Sequence, residues 1–121
     1  MENKLRKHRK QMTSAEIEYT ESLVHGITDW RSDVCRGHLI RRGRNFTHEQ
    51  MVNACHTGRV IEVNSLGRIL MRDDLGMCVV VSVKDRVIFT AYANHPNDNH
   101  EGQSMDIYTF RVDVISYLRG L

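Results

Sequence analysis

The fold is decided by residues 59–94, RVIEVNSLGRILMRDDLGMCVVVSVKDRVIFTAYAN, where apolar side chains alternate with a period of two instead of 3.6. Four runs rich in β-branched residues stand out: Arg59 to Val63, Arg68 to Arg72, Met77 to Val83 and Arg86 to Tyr92. The breaks between them are Asn64-Ser65-Leu66-Gly67, Asp73-Asp74-Leu75-Gly76 and Lys84-Asp85. Each has turn chemistry, because Asn and Asp bond to nearby backbone and Gly accepts a positive φ. Breaks this short join antiparallel neighbours, so the stretch reads as a four-stranded antiparallel β-meander. In the third run Met77, Val79, Val81 and Val83 share one face, and Cys78, Val80 and Ser82 the other. In the fourth, alternation sets Val87, Phe89 and Ala91 against Ile88, Thr90 and Tyr92. The greasier face is expected to pack on helices. Ser82, Thr90, Tyr92 and the arginines of neighbouring strands are then left on the open side.

Upstream, the period is helical. Thr13-Ser14-Ala15-Glu16 has the form of a capping box, followed by Ile17, Leu23 and Val24 on a loosely amphipathic helix ending near Gly26. A second helix is expected from Asp29 or Ser32 to Arg42, with Val34, Cys35 and Leu39 on one stripe and Gly43 at its end. Thr47-His48-Glu49-Gln50 is another capping box; Met51, Val52 and Cys55 form the buried stripe, and Gly58 ends the helix. Downstream of a polar loop, Ile107, Phe110, Val114 and Leu118 are spaced like one face of a terminal helix, although Ile107 to Tyr117 also suits a fifth strand. Residues 1–12 lack apolar periodicity and read as a mobile basic arm before a single domain, 13–121. The expected class is α+β: N-terminal helices, a four-stranded antiparallel meander, and a C-terminal helix.

A chain of 121 residues with 40% apolar and 26% charged residues is the size and composition of one ordinary globular domain. No apolar run approaches the ~20 residues that cross a bilayer. The basic start has no apolar segment behind it, so it does not read as a secretory signal. Three cysteines, Cys35, Cys55 and Cys78, do not pair off evenly. Together these favour free thiols and a cytoplasmic protein.

The net charge of +2 conceals alternating blocks. Residues 1–10 carry +4, 11–30 carry −4, 31–72 carry +5 and 73–121 carry −3. The second basic block holds eight arginines and no lysine. Guanidinium forks bind phosphate bidentately and stack on bases, so this block points toward nucleic acid.

Two constellations carry candidate chemistry. His38 stands beside Arg36, Arg41, Arg42 and Arg44, and on a helix His38 shares a face with Arg41 or Arg42. A histidine titrating near neutrality beside guanidinium groups can move protons while phosphate charge is neutralised, as cleavage of RNA by its own 2′-hydroxyl requires. The plainer reading is a half-buried histidine on a helix with a solvated or phosphate-binding arginine face. The second constellation is Arg59, Arg68, Arg72, Thr90 and Tyr92 on the sheet, a platform for phosphate and a stacked base. Cross-strand pairing of those arginines with Glu62, Asp73 or Asp85 is the alternative. Cys35-x-x-His38 and Cys55-His56 have awkward spacing for tetrahedral zinc, so neither a metal nor a cofactor is expected. Residues 4–10 suit sequence-independent contact with nucleic acid, or a solubility tail.

From His38 through Tyr92 the sequence resembles a small bacterial and phage family of toxin-like domains. The motifs are His38-Leu39-Ile40-Arg41-Arg42, Gly58-Arg59-Val60-Ile61-Glu62, Arg68-Ile69-Leu70-Met71-Arg72 leading to Gly76 and Val79-Val80-Val81, and Ile88-Phe89-Thr90-Ala91-Tyr92. That family is similar to the superfamily of barnase, EndoU, certain colicins and RelE (BECR), mostly metal-independent ribonucleases with helices before a four-stranded antiparallel sheet. The resemblance implies His38 as general acid or base, Arg41 or Arg42 with Arg59 as phosphate ligands, and Thr90 and Tyr92 on the substrate face. Glu62 is its one candidate for a carboxylate base. The expected function is an RNA-binding or endoribonuclease-like protein, with Arg42, Arg44, Arg68, Arg72 and Thr90 holding nucleic acid and a cognate inhibitor as a further partner. The alternative is a non-enzymatic, phage-type inhibitor that turns the same surface on a host protein or nucleic acid.

Overall fold

The computed structural model describes residues 4–30, 43–44, 46–94 and 105–121. The meander is present as β2 (Arg59–Asn64), β3 (Arg68–Arg72), β4 (Met77–Ser82) and β5 (Val87–Ala93). A further strand, β1 (Arg6–His8), pairs antiparallel with β2, giving a five-stranded sheet in the order β1-β2-β3-β4-β5. Two expectations are therefore corrected: the sheet has five strands, not four, and Arg6–His8 is part of it, not of a mobile arm. Alternate residues Arg6 and His8 flank Lys7 at the strand period, but three residues are too few for that period to show in the sequence.

Both turn glycines before β3 and β4 hold positive φ, +74° at Gly67 and +86° at Gly76, which residues with a Cβ adopt at a cost. Asp73 Oδ1 accepts from the amides of Leu75 and Met77, both at 2.9 Å, closing the second turn.

Helix α1 (Ser14–His25) opens with the Thr13–Glu16 capping box, and α2 (His48–Thr57) with the Thr47–Gln50 box. Gly58 ends α2 where a Cβ would lie 2.1 Å from the Ala54 carbonyl oxygen, so only glycine lets the chain leave the helix this tightly into β2. The terminal helix is shorter than the apolar spacing predicts: α3 is Val114–Arg119, capped by Asp113. Phe110 instead donates its amide to the Arg6 carbonyl at 2.9 Å, covering the outer edge of β1. The expected helix does not begin at Asp29: the Ile88 amide donates to the Asp29 carbonyl at 2.9 Å and Trp30 forms a parallel bridge with Ile88, so these two residues run extended beside β5. The rest of that expected helix, Ser32 to Arg42, lies outside the described residues.

The core lies on one face of the sheet. Val60, Val63, Ile69, Met71, Val79, Val81, Ile88 and Ala91 meet Val24, Met51, Ala54, Cys55, Val114 and Leu118 from the helices. On the opposite face Ile61, Leu70 and Cys78 form a smaller buried cluster, with Val80 and Tyr92 against it. Among the described residues no helix is long and apolar enough to cross a membrane.

Glu16, 5% exposed, ties distant segments together. Its carboxylate accepts from the Thr13 amide, the Lys7 ammonium and the Val114 amide, each at 2.9 Å, and Lys7 also donates to the Val112 carbonyl. Burial opposes its charge, but these donors outweigh that and lower its pKa from 4.5 to about 2. A carboxyl depressed in the folded state stabilises the fold above its unfolded pKa and ceases to do so as pH falls through the folded one. Stability should therefore fall between pH 4.5 and about 2. Glu16→Gln should cost about 3 kcal/mol at pH 7 by denaturant titration, and the variant should show a flatter acid limb.

Candidate functional site

Two β-bulges shape the open face. In β2 the register shifts between Val60 and Glu62: Val60 pairs with Met71, and Glu62 with Leu70. Simple alternation would have placed Glu62 on the same side as Val60, in the core. The extra residue, Ile61, carries Glu62 to the open side and returns Val63 to the core. In β5 the shift lies opposite Val80 and Val81, which pair with Thr90 and Ile88. Ile88 and Ala91 are thus both in the core, whereas Phe89, Thr90 and Tyr92 line the open side. The expected grouping of Phe89 with Ala91 is corrected by this bulge.

Between the bulged strands lies a cavity of about 250 Å³. Its floor is Leu70 and Val80, and its polar wall comprises Lys4, Arg6, Glu62, Asn64 and Arg68, with Phe89, Thr90 and Tyr92 completing it. Glu62 is 8% exposed, and burial pushes its carboxyl above the ordinary range although Arg6 and Lys4 pull the other way. The Arg6 Nε stands 3.7 Å from Glu62 Oε2. The Arg68 guanidinium lies over the Phe89 ring, 4.0 Å from its centroid. Thr90 Oγ1 is buried and has no hydrogen-bond partner among the described residues. Tyr92 is hydrogen-bonded to the Cys78 thiol, and burial raises its pKa strongly, so its phenol keeps its proton. Arg44 donates to the Ala91 carbonyl at 3.0 Å and sits 5.8 Å over the Tyr92 ring.

The structure thus brings Arg68, Thr90 and Tyr92 together around one cavity and places Arg44 beside it. Arg59 is exposed at the start of β2, 3.7 Å from Asp74, and does not line the cavity. Arg72 faces the open side by register but is 2% exposed and also lies off the cavity. His38, Arg41 and Arg42 lie outside the described residues. Asn64 and Phe89 are additions that the sequence reading missed, and Lys4 and Arg6, read there only as part of a basic arm suited to nucleic acid, are placed in the cavity wall. Glu62 was legible as a charge inside the apolar run Val60 to Val63. Cys55 is fully buried, and its thiol is pushed up to about 12, which suits neither a nucleophile nor a metal ligand. Among the described residues no group of three or more His, Cys, Asp or Glu is placed to hold a metal ion.

A carboxyl raised in the folded state binds its proton more tightly there than in the unfolded chain, so it destabilises the fold once pH exceeds the unfolded pKa. Glu62→Gln should therefore raise Tm by a few degrees at pH 7, with the difference shrinking to nothing in scans below about pH 4.

No family model matches the chain, and neither a curated protein nor a solved structure does, so the chemistry of the cavity rests on its own geometry.

Proposed function

We propose that this protein binds RNA at the open face of its sheet and cleaves it without a metal ion, as an endoribonuclease-like protein. The observation that carries this reading is a buried carboxyl of raised pKa, Glu62, sharing one cavity with the cations of Lys4, Arg6 and Arg68. Three cations against one carboxylate make the cavity an anion site. A carboxylate whose pKa is shifted toward neutrality is a better proton acceptor than an ordinary one.

Glu62 removes the proton of a 2′-hydroxyl, and the freed oxygen attacks the adjacent phosphorus. The bond to the 5′-oxygen breaks, and that oxygen takes up a proton, leaving a 2′,3′-cyclic phosphate and a 5′-hydroxyl. The motif resemblance assigns the donated proton to His38 with Arg41 beside it. Arg6, Lys4 and Arg68 offset the charge that builds on the phosphate. Tyr92, whose phenol stays uncharged, adds no negative charge beside it. Arg44, beside the cavity, and Arg42 extend the path of the strand by phosphate contact.

The test is incubation of the purified protein with total RNA in EDTA. Cleavage should persist, and its rate should rise with pH through the raised pKa of Glu62. Glu62→Gln and His38→Ala should each lower the rate by about 10²-fold or more, with both variants folded. Arg68→Ala should weaken binding and reduce its salt dependence by about one phosphate contact. RNA left intact at high protein concentration would remove the catalytic reading. A non-enzymatic inhibitor acting through the same surface would then be sought by capture from host lysate.

A further inference from the structure

Asn64 ends β2 at the rim of the cavity and is 6% exposed. Its side-chain oxygen accepts two backbone N–H groups across the turn, from Leu66 at 2.9 Å and from Arg68 at 3.3 Å. Backbone N–H groups can meet only the oxygen of an amide, so the orientation of the Asn64 side chain is fixed by chemistry. The oxygen is consumed by the turn. Asn64 lines the cavity, and its NH₂ group takes no part in the turn.

Beside it, the Arg68 guanidinium carbon lies 4.0 Å from the centroid of the Phe89 ring. Flat guanidinium and aromatic faces are the surfaces on which single-stranded bases stack. The two groups belong to one assembly, since the amide of Arg68 itself holds the Asn64 oxygen. The edge of a base stacked here meets the Asn64 side chain, whose free hydrogen-bonding group is the donor NH₂. The acidic acceptor of the cavity, Glu62, is drawn toward Arg6. Thr90 Oγ1 can donate or accept and follows whatever is bound.

We propose that Asn64 is a specificity-determining residue, selecting bases that carry a keto oxygen at the purine 6 or pyrimidine 4 position, guanine or uracil, over adenine and cytosine, which carry an amino group there. This rests on the reading that the cavity takes RNA. An amino group facing the Asn64 NH₂ sets donor against donor. Asparagine ordinarily pairs with adenine through its oxygen and nitrogen together, and here the oxygen is already taken.

The experiment is calorimetric titration of the full chain with 3′-GMP, 3′-UMP, 3′-AMP, 3′-CMP and inorganic phosphate. The keto nucleotides should bind about tenfold or more tighter than the amino pair, the range one well-placed base contact supplies. Asn64→Asp keeps the oxygen that holds the turn and replaces the NH₂ by a second acceptor. In that variant all affinities should fall, and the keto preference should vanish or reverse. Equal affinity of the wild-type protein for all four nucleotides overturns the inference and leaves RNA binding standing. So does a keto preference that survives Asn64→Asp. Failure of the wild type to bind any nucleotide, phosphate or RNA overturns both readings. Should Asn64→Asp lose its fold by circular dichroism, the wild-type ratio alone decides.

Discussion

The carboxylate of Glu16 is the joint on which the rest of the molecule depends. It belongs to α1, yet it holds the ammonium of Lys7 on β1 and the first amide of α3. Without that joint β1 is a three-residue edge strand, too short to stay on the sheet by its ladder alone. The charge is affordable only because three donors meet it in the folded state. What β1 then carries into place is part of the cavity: Arg6, with Lys4 just before the strand, lines it together with Arg68. The network that closes the fold is also the one that completes the site.

On the other side of the sheet the same physics is left unfinished. Glu62 is as buried as Glu16 in practice, at 8% against 5%, but its partner Arg6 is 3.7 Å away with a side chain 34% exposed. One carboxyl is pulled far down by its donors, and the other is pushed up by burial. Their contrast separates a carboxylate held by its donors from one left short of them more clearly than exposure does. The unpartnered Thr90 hydroxyl and the raised Tyr92 phenol lie in the same under-satisfied region.

Much of the fold was legible. The period-two runs fixed the four strands of the meander, and the turn residues fixed its hairpins. Both capping boxes appear where Thr13 and Thr47 promised them. Residues 6–8 were not legible, because three residues joined to β2 across fifty of sequence carry no local signal. The terminal helix was overextended because the spacing of Ile107 and Phe110 fits a helix equally well. Its start is set instead by the Asp113 cap and by the pairing of Phe110 with Arg6.

The sequence by itself determined the α+β class, the two-sided sheet, and the placing of Arg68 on its open face, since each follows from local period and turn chemistry. Thr90 and Tyr92 alternate in phase with the core residue Ile88 and reach the open face only through the bulge at Phe89. Tertiary structure alone decided which neighbours those residues have. The bulges at Ile61 and Phe89 exist only relative to a partner strand, and each moves the following side chains to the opposite face. Long-range pairing with β2 brought Lys4 and Arg6 beside Glu62. Alternation is a property of one strand, whereas register belongs to two; the cavity is built from register.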